Sequence, residues 1–129
     1  MTKESLPFIH PDDMPDFYAL TGVGTCMEPE LNDGSAIAFT KKGTPQPGDL
    51  VGVVFTKAAA RRWNQPGIVK RLVSSIPHAG FAGIVVVEQH NPPRRYLIPT
   101  DDILAVQKCL GMAERHGKEV RIRRALMEA

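Results

Sequence analysis

A chain of 129 residues, 43% of them hydrophobic and 23% charged, has the length of one globular domain. Folding at this size buries roughly two thirds of the chain's surface, so neither disulfides nor a structural metal is required for a core. The 16 basic and 14 acidic residues leave a formal net charge of +2, too small to recruit nucleic acid or an anionic membrane by bulk attraction.

The opening segment is broken by Pro7, Pro11, Asp12, Asp13 and Pro15, so residues 1–16 are expected to form an arm that lies on the domain or stays mobile, without a secretory leader. Apolar runs such as Leu50 to Phe55 and Ile84 to Val87 are far short of the roughly 18 residues of a spanning helix. A cytoplasmic location away from membranes is the expectation. Gly and Pro, 11 of each, punctuate short segments rich in Val, Ile, Leu and Phe, the pattern of a mainly β domain. Strands are predicted over Phe17 to Gly24, Ser35 to Lys41, Asp49 to Thr56, Gly67 to Ser75, Gly83 to Gln89, Arg95 to Ile98 and Ile103 to Leu110.

Between the third and fourth of these, Lys57 to Gly67 reads as a solvated loop whose Trp63 folds back on the sheet. The competing reading pairs Trp63 with Arg61 and Arg62 as a platform for a base or an acidic peptide. After residue 111 the spacing of Val120, Ile122, Ala125 and Leu126 predicts a helix over Met112 to Met127, against which Gly117 counts. Its basic residues, Arg115 to Arg124, are diluted by Glu114, Glu119 and Glu128. They read as a solvated or oligomer-docking face, with nucleic acid reached only indirectly or through a partner.

Two places concentrate unusual residue choices. In Thr21 to Gly34 a strand meets glycines, a polarizable nucleophile at Cys26 and a turn over Pro29, an arrangement that lets backbone N–H groups converge on a reacting carbonyl. In Ile68 to Val73, alternation puts Lys70 on one face with Ile68 and Leu72, and Arg71 on the other with Val69 and Val73. One cation must then lie against apolar neighbours. Lysine meets that demand by losing its proton, whereas arginine stays charged, so Lys70 belongs inside.

The order Gly-Thr-Cys-Met-Glu-Pro with Asp33-Gly34 downstream, Pro47-Gly-Asp-Leu-Val51, Ile-Val-Lys-Arg-Leu72, and Glu88 to Pro99 with Asn91 and Tyr-Leu-Ile-Pro resembles the LexA and signal peptidase superfamily over about Leu20 to Gly111. The likeness is nearest to the peptidase-like domain of LexA- and UmuD-type proteins. It implies a coiled β-sheet fold and a Ser-Lys dyad, here Cys26 in the serine position and Lys70 as general base or proton donor. It also implies a peptide or protein substrate held near Gly24, Thr25 and Met27, a substrate strand beside Leu20 to Gly24, and a homodimer. No metal or other cofactor is expected. Cys26 departs from the serine of the pattern, and Ser35 stands where an acidic residue is usual. Neither an Ala-Gly nor a Cys-Gly pair precedes Cys26, so self-cleavage is not expected, and no DNA-binding domain is expected ahead of the fold.

A thiol's reference pKa near 8.5 lies below the roughly 10.4 of lysine, so the pair can stand as thiolate and ammonium, or desolvation can hold both neutral. The alternative function is a catalytically silent dimerisation or regulatory module, with Cys26 a small buried hydrophobe and Lys70 retained for packing. The remaining candidates read as structural. His10, His78, His90 and His116 lack ligand spacing, Asp33 and Asp49 sit at turns, Asp101-Asp102 closes a turn, and Cys109 belongs to the core.

Overall fold

The computed structural model describes residues 10–21, 26–77, 82–116 and 119–122. Each predicted stretch of alternating apolar residues forms a strand: β1 (Phe17–Thr21), β2 (Ala36–Thr40), β3 (Leu50–Phe55), β4 (Gly67–Leu72), β5 (Ile84–Gln89), β6 (Arg94–Pro99) and β7 (Ile103–His116). An eighth, β8 (Glu119–Ile122), completes one antiparallel sheet of order β1-β2-β7-β3-β4-β5-β6, with β8 alongside β7. The domain is therefore mainly β. Among the described residues no helix is long and apolar enough to cross a membrane.

Two expectations are corrected. Residues 112–116 and 119–122 continue and return the sheet instead of forming a helix, with Ala113 opposite Ile122 and His116 opposite Glu119. Val120 and Ile122 fit a period of two as well as one of 3.6. Residues 123–129 of the expected helix lie outside the described residues. β7 also runs past its predicted end, because Gly111, at φ 102°, carries a bulge that shifts the pairing between Ala38 and Phe39 of β2 without ending the strand.

The second correction concerns 57–63, expected as loop and observed as a helix, α1 (Lys57–Trp63). Thr56 is extended, and its hydroxyl accepts the Ala59 N–H at 3.2 Å; three alanines follow, and Asn64 stops the helix in the left-handed region at φ 61°. Thr56→Ala is expected to cost about 1 kcal/mol, measured by thermal unfolding. Trp63 does fold back, stacking on Phe55 at 5.0 Å and meeting the edge of Tyr96 at 5.4 Å, while Arg62 pairs with Asp102.

The alternation of β4 separates two cores on opposite faces. Ile68 and Leu72 join Val51, Val53, Phe55, Val85, Val87 and Ile98 under α1. Val69 lies against the other cluster, where Met27, Leu31, Ile37, Phe39, Cys109 and Met112 pack together. The central strand β3 is buried on both faces, and at Gly52 the Phe39 ring comes so close that an added Cβ would lie 2.7 Å from it. Of the expected arm, residues 10–16 lie on the domain: a single 3₁₀ turn over Pro11–Asp13 is held by Lys41, whose ammonium donates to the carbonyls of Pro11 and Met14 at 2.9 Å each.

Candidate functional site around Cys26 and Lys70

Lys70 occupies the inner face of β4, as the alternation predicts, and is 7% exposed beside Ile68 and Leu72. Its ammonium lies 5.8 Å from the centroid of the Tyr96 ring. The Tyr96 hydroxyl donates to Gln89 Oε1 at 3.2 Å, and the Gln89 amide donates to the carbonyl of Pro92 at 3.0 Å. These bonds fix the ring as one wall of the recess. Burial lowers the Lys70 pKa from its ordinary value, and negative charge on Cys26 opposes that shift. The two side chains thus share one electrostatic neighbourhood, in which lysine loses its proton more readily than in water.

Cys26 is half-buried at the start of a turn over residues 26–30. Its carbonyl accepts two backbone bonds, from the N–H groups of His90 and Asn91, each at 2.9 Å. The Asn91 side chain returns to the same turn, its amide donating to the Glu28 carbonyl at 3.0 Å. The link between β5 and β6 therefore staples the backbone at Cys26.

Glu30 ties the turn down from its far end. One carboxylate oxygen pairs with Arg71, and the other lies 2.6 Å from Nε2 of His90. Burial alone raises the Glu30 pKa, but the hydrogen bonds from Arg71 and His90, together with their charges, outweigh it and hold the carboxyl below its usual range. The stability this contributes is present above the unfolded carboxyl pKa and is lost as pH falls through the lower folded value. Arg71 also donates to the Gly48 carbonyl, which brings in the turn before β3. There Asp49 accepts the Gln46 N–H at 2.8 Å, the structural role expected of it. Neighbours on β4 that face opposite ways thus both bear on the same turn, Arg71 by its ion pair with Glu30 and Lys70 through the charge of Cys26.

Of the residues expected at the site, Cys26 and Lys70 lie within electrostatic reach of one another, and Gly24 and Thr25 lie outside the described residues. Met27, expected near the substrate, is 5% exposed and packs with Leu31, Ile37 and Phe39, so it anchors the turn from below. Cys109 is a core residue whose thiol burial pushes up to about 11. Glu30, His90 and Tyr96 are the residues that sequence reasoning passed over as site components. The signal for Glu30 was indirect: a strand that buries Lys70 turns Arg71 toward the opposite core, where a carboxylate is needed. Among the described residues no three His, Cys, Asp or Glu side chains converge as metal ligands. Comparison with protein-family models, curated proteins and solved structures finds no match to this chain.

Proposed function

We propose that this domain is a peptidase-like hydrolase of the LexA and signal peptidase type, with Cys26 as nucleophile and Lys70 as its proton acceptor. The observation that supports the reading is the burial of Lys70 within electrostatic reach of Cys26, which makes the amine a better base than a solvated lysine. Cys26 Sγ attacks the peptide carbonyl while its proton passes to the neutral Lys70 amine. The resulting ammonium protonates the departing amine, leaving a thioester on Cys26. Water, deprotonated by Lys70, then releases the acid and regenerates the thiol. Backbone N–H groups of 24–26 hold the oxyanion.

β1 supports a place for the substrate, since it lies at one edge of the sheet and pairs only with β2 among the described strands. An extended peptide added along Leu20 to Gly24 satisfies that open edge. The domain acts as a cytoplasmic homodimer without a resident metal or cofactor, and nucleic acid enters only through a partner.

The test is incubation of wild type, Cys26→Ser and Cys26→Ala with a peptide library, read by mass spectrometry. Cleavage by wild type or the serine variant, absent from the alanine variant, is the expected result. Cleavage by serine alone identifies the native thiol as a brake on a competent scaffold. No cleavage by either leaves the silent dimerisation module as the function.

A further inference from the structure

The bonds that tie the 26–30 turn to the sheet come from two separate elements, and Glu30 is where they meet. Its carboxylate joins Arg71 of β4 to His90 of the β5–β6 link. That link, in turn, donates its His90 and Asn91 N–H groups to the Cys26 carbonyl. Glu30 itself is four residues from the thiol, and its carboxylate is engaged at both oxygens, so it acts through the backbone that carries Cys26.

We infer that Glu30 is a positioning residue that seats Cys26 against Lys70, by locking the nucleophile's turn to both β4 and the β5–β6 link. The inference rests on the Cys26–Lys70 reading for its consequence, and on the hydrogen-bond geometry for its cause. A carboxylate suits the position because it accepts from a guanidinium and an imidazole at once, each bond to an ionised acceptor being roughly twice as strong as a neutral one. The Glu28 side chain, in the same turn, accepts the Asp33 N–H at 3.3 Å, while its backbone carbonyl takes the Asn91 amide. Its carboxylate joins the turn to its own neighbour and not to β4, so the two glutamates flanking Pro29 have different tasks.

The experiment is a double-mutant cycle on thiol reactivity, which needs no substrate. Wild type, Lys70→Met, Glu30→Ala and the double variant are alkylated with iodoacetamide at neutral pH. Labelling is followed on the Cys26 peptide by mass spectrometry, and the buried Cys109 reports in the same sample whether the fold has opened. In the wild-type background Lys70→Met is expected to slow Cys26 labelling about tenfold, since the lysine assists either as ammonium beside a thiolate or as amine taking the thiol proton. In the Glu30→Ala background the same change is expected to matter less than twofold, because the turn no longer holds the sulfur against the amine.

Amide hydrogen exchange supplies the second readout. Glu30→Ala is expected to lose about tenfold in protection at His90 and Asn91 with Val51 and Val53 unchanged, and Glu30→Gln, which keeps an acceptor for Arg71, to lose less. A full Lys70 effect surviving in Glu30→Ala overturns the positioning role while leaving the Cys26–Lys70 pair intact. No Lys70 effect in the wild-type background overturns both. If Glu30→Ala labels at Cys109, Glu30→Gln takes its place in the cycle, with half or more of the Lys70 effect lost as the supporting result and a full effect as the overturning one.

Discussion

Lys70→Met is expected to abolish peptide cleavage and to make the protein more stable. On the proposed mechanism the activity loss follows from removing the group assigned to move the thiol proton, a step worth about 10²- to 10⁴-fold in general acid–base catalysis. The stability gain follows from burial. A lysine 7% exposed among Ile68, Leu72 and the Tyr96 ring bears a desolvation penalty that methionine of similar length does not. Because its folded pKa lies below the unfolded one, that penalty is fully present below the folded value and disappears as pH rises through the unfolded value.

At pH 7 the variant should therefore exceed wild type by about 1 kcal/mol, a figure at the low end for buried charges because Cys26 and Tyr96 offset part of the penalty. This corresponds to a rise of about 4 °C in Tm. The difference should vanish above about pH 10.5. Melting curves at pH 7 and pH 10.5, with kcat/KM on the cleaved peptide, check both halves. A variant that melts lower than wild type at pH 7 contradicts the penalty, and one that cleaves normally contradicts the role.

Phe55→Ala is expected to cause the largest loss of stability, about 3–5 kcal/mol, out of a total of about 5–15 kcal/mol typical of a domain. Phe55 is fully buried at the end of β3, with the Trp63 ring stacked on it at 5.0 Å. Truncation leaves a cavity under α1 and removes one of the two rings that hold Trp63. The effect should reach the site, since Trp63 meets Tyr96 at 5.4 Å and Tyr96 walls Lys70 at 5.8 Å. Urea unfolding followed by Trp63 fluorescence should show a much lower midpoint with an unchanged slope. Phe17→Ala, at a residue 57% exposed, serves as the control and should move the midpoint by less than about 0.5 kcal/mol.

The strands were legible because a half-buried strand writes its faces into every second residue, and β4 shows how far this goes. Ile68, Lys70 and Leu72 share a face in the sequence pattern and are all buried in the fold, so the unusual lysine could be placed from its neighbours alone. The short helix was not legible. Seven residues give too few turns for a periodic stripe, and its markers, a Thr before the alanines and an Asn after Trp63, also fit a loop. The end of the chain misled for the opposite reason, since Val120 and Ile122 fit a strand as well as a helix and nothing local decides between them.

Half of the candidate site was legible on the same grounds. Cys26 and Lys70 stand out locally, one for its glycines and turn and the other for its apolar strand. Glu30 and His90 do not, because their pairing joins positions 60 residues apart and exists only once β4 and β5 have been brought together.

The placement of β7 has a consequence for how the molecule comes into being. In the ladder of strands it sits between β2 and β3, which have no hydrogen-bonded ladder to one another. During synthesis the β1–β2 hairpin and the β3 to β6 meander must wait, side by side and with raw inner edges, for residues 103–116 to leave the ribosome and zip them together. The turn that carries Cys26 belongs to one waiting half and Lys70 to the other, so the nascent chain has no fixed relation between the two residues until its final long strand arrives.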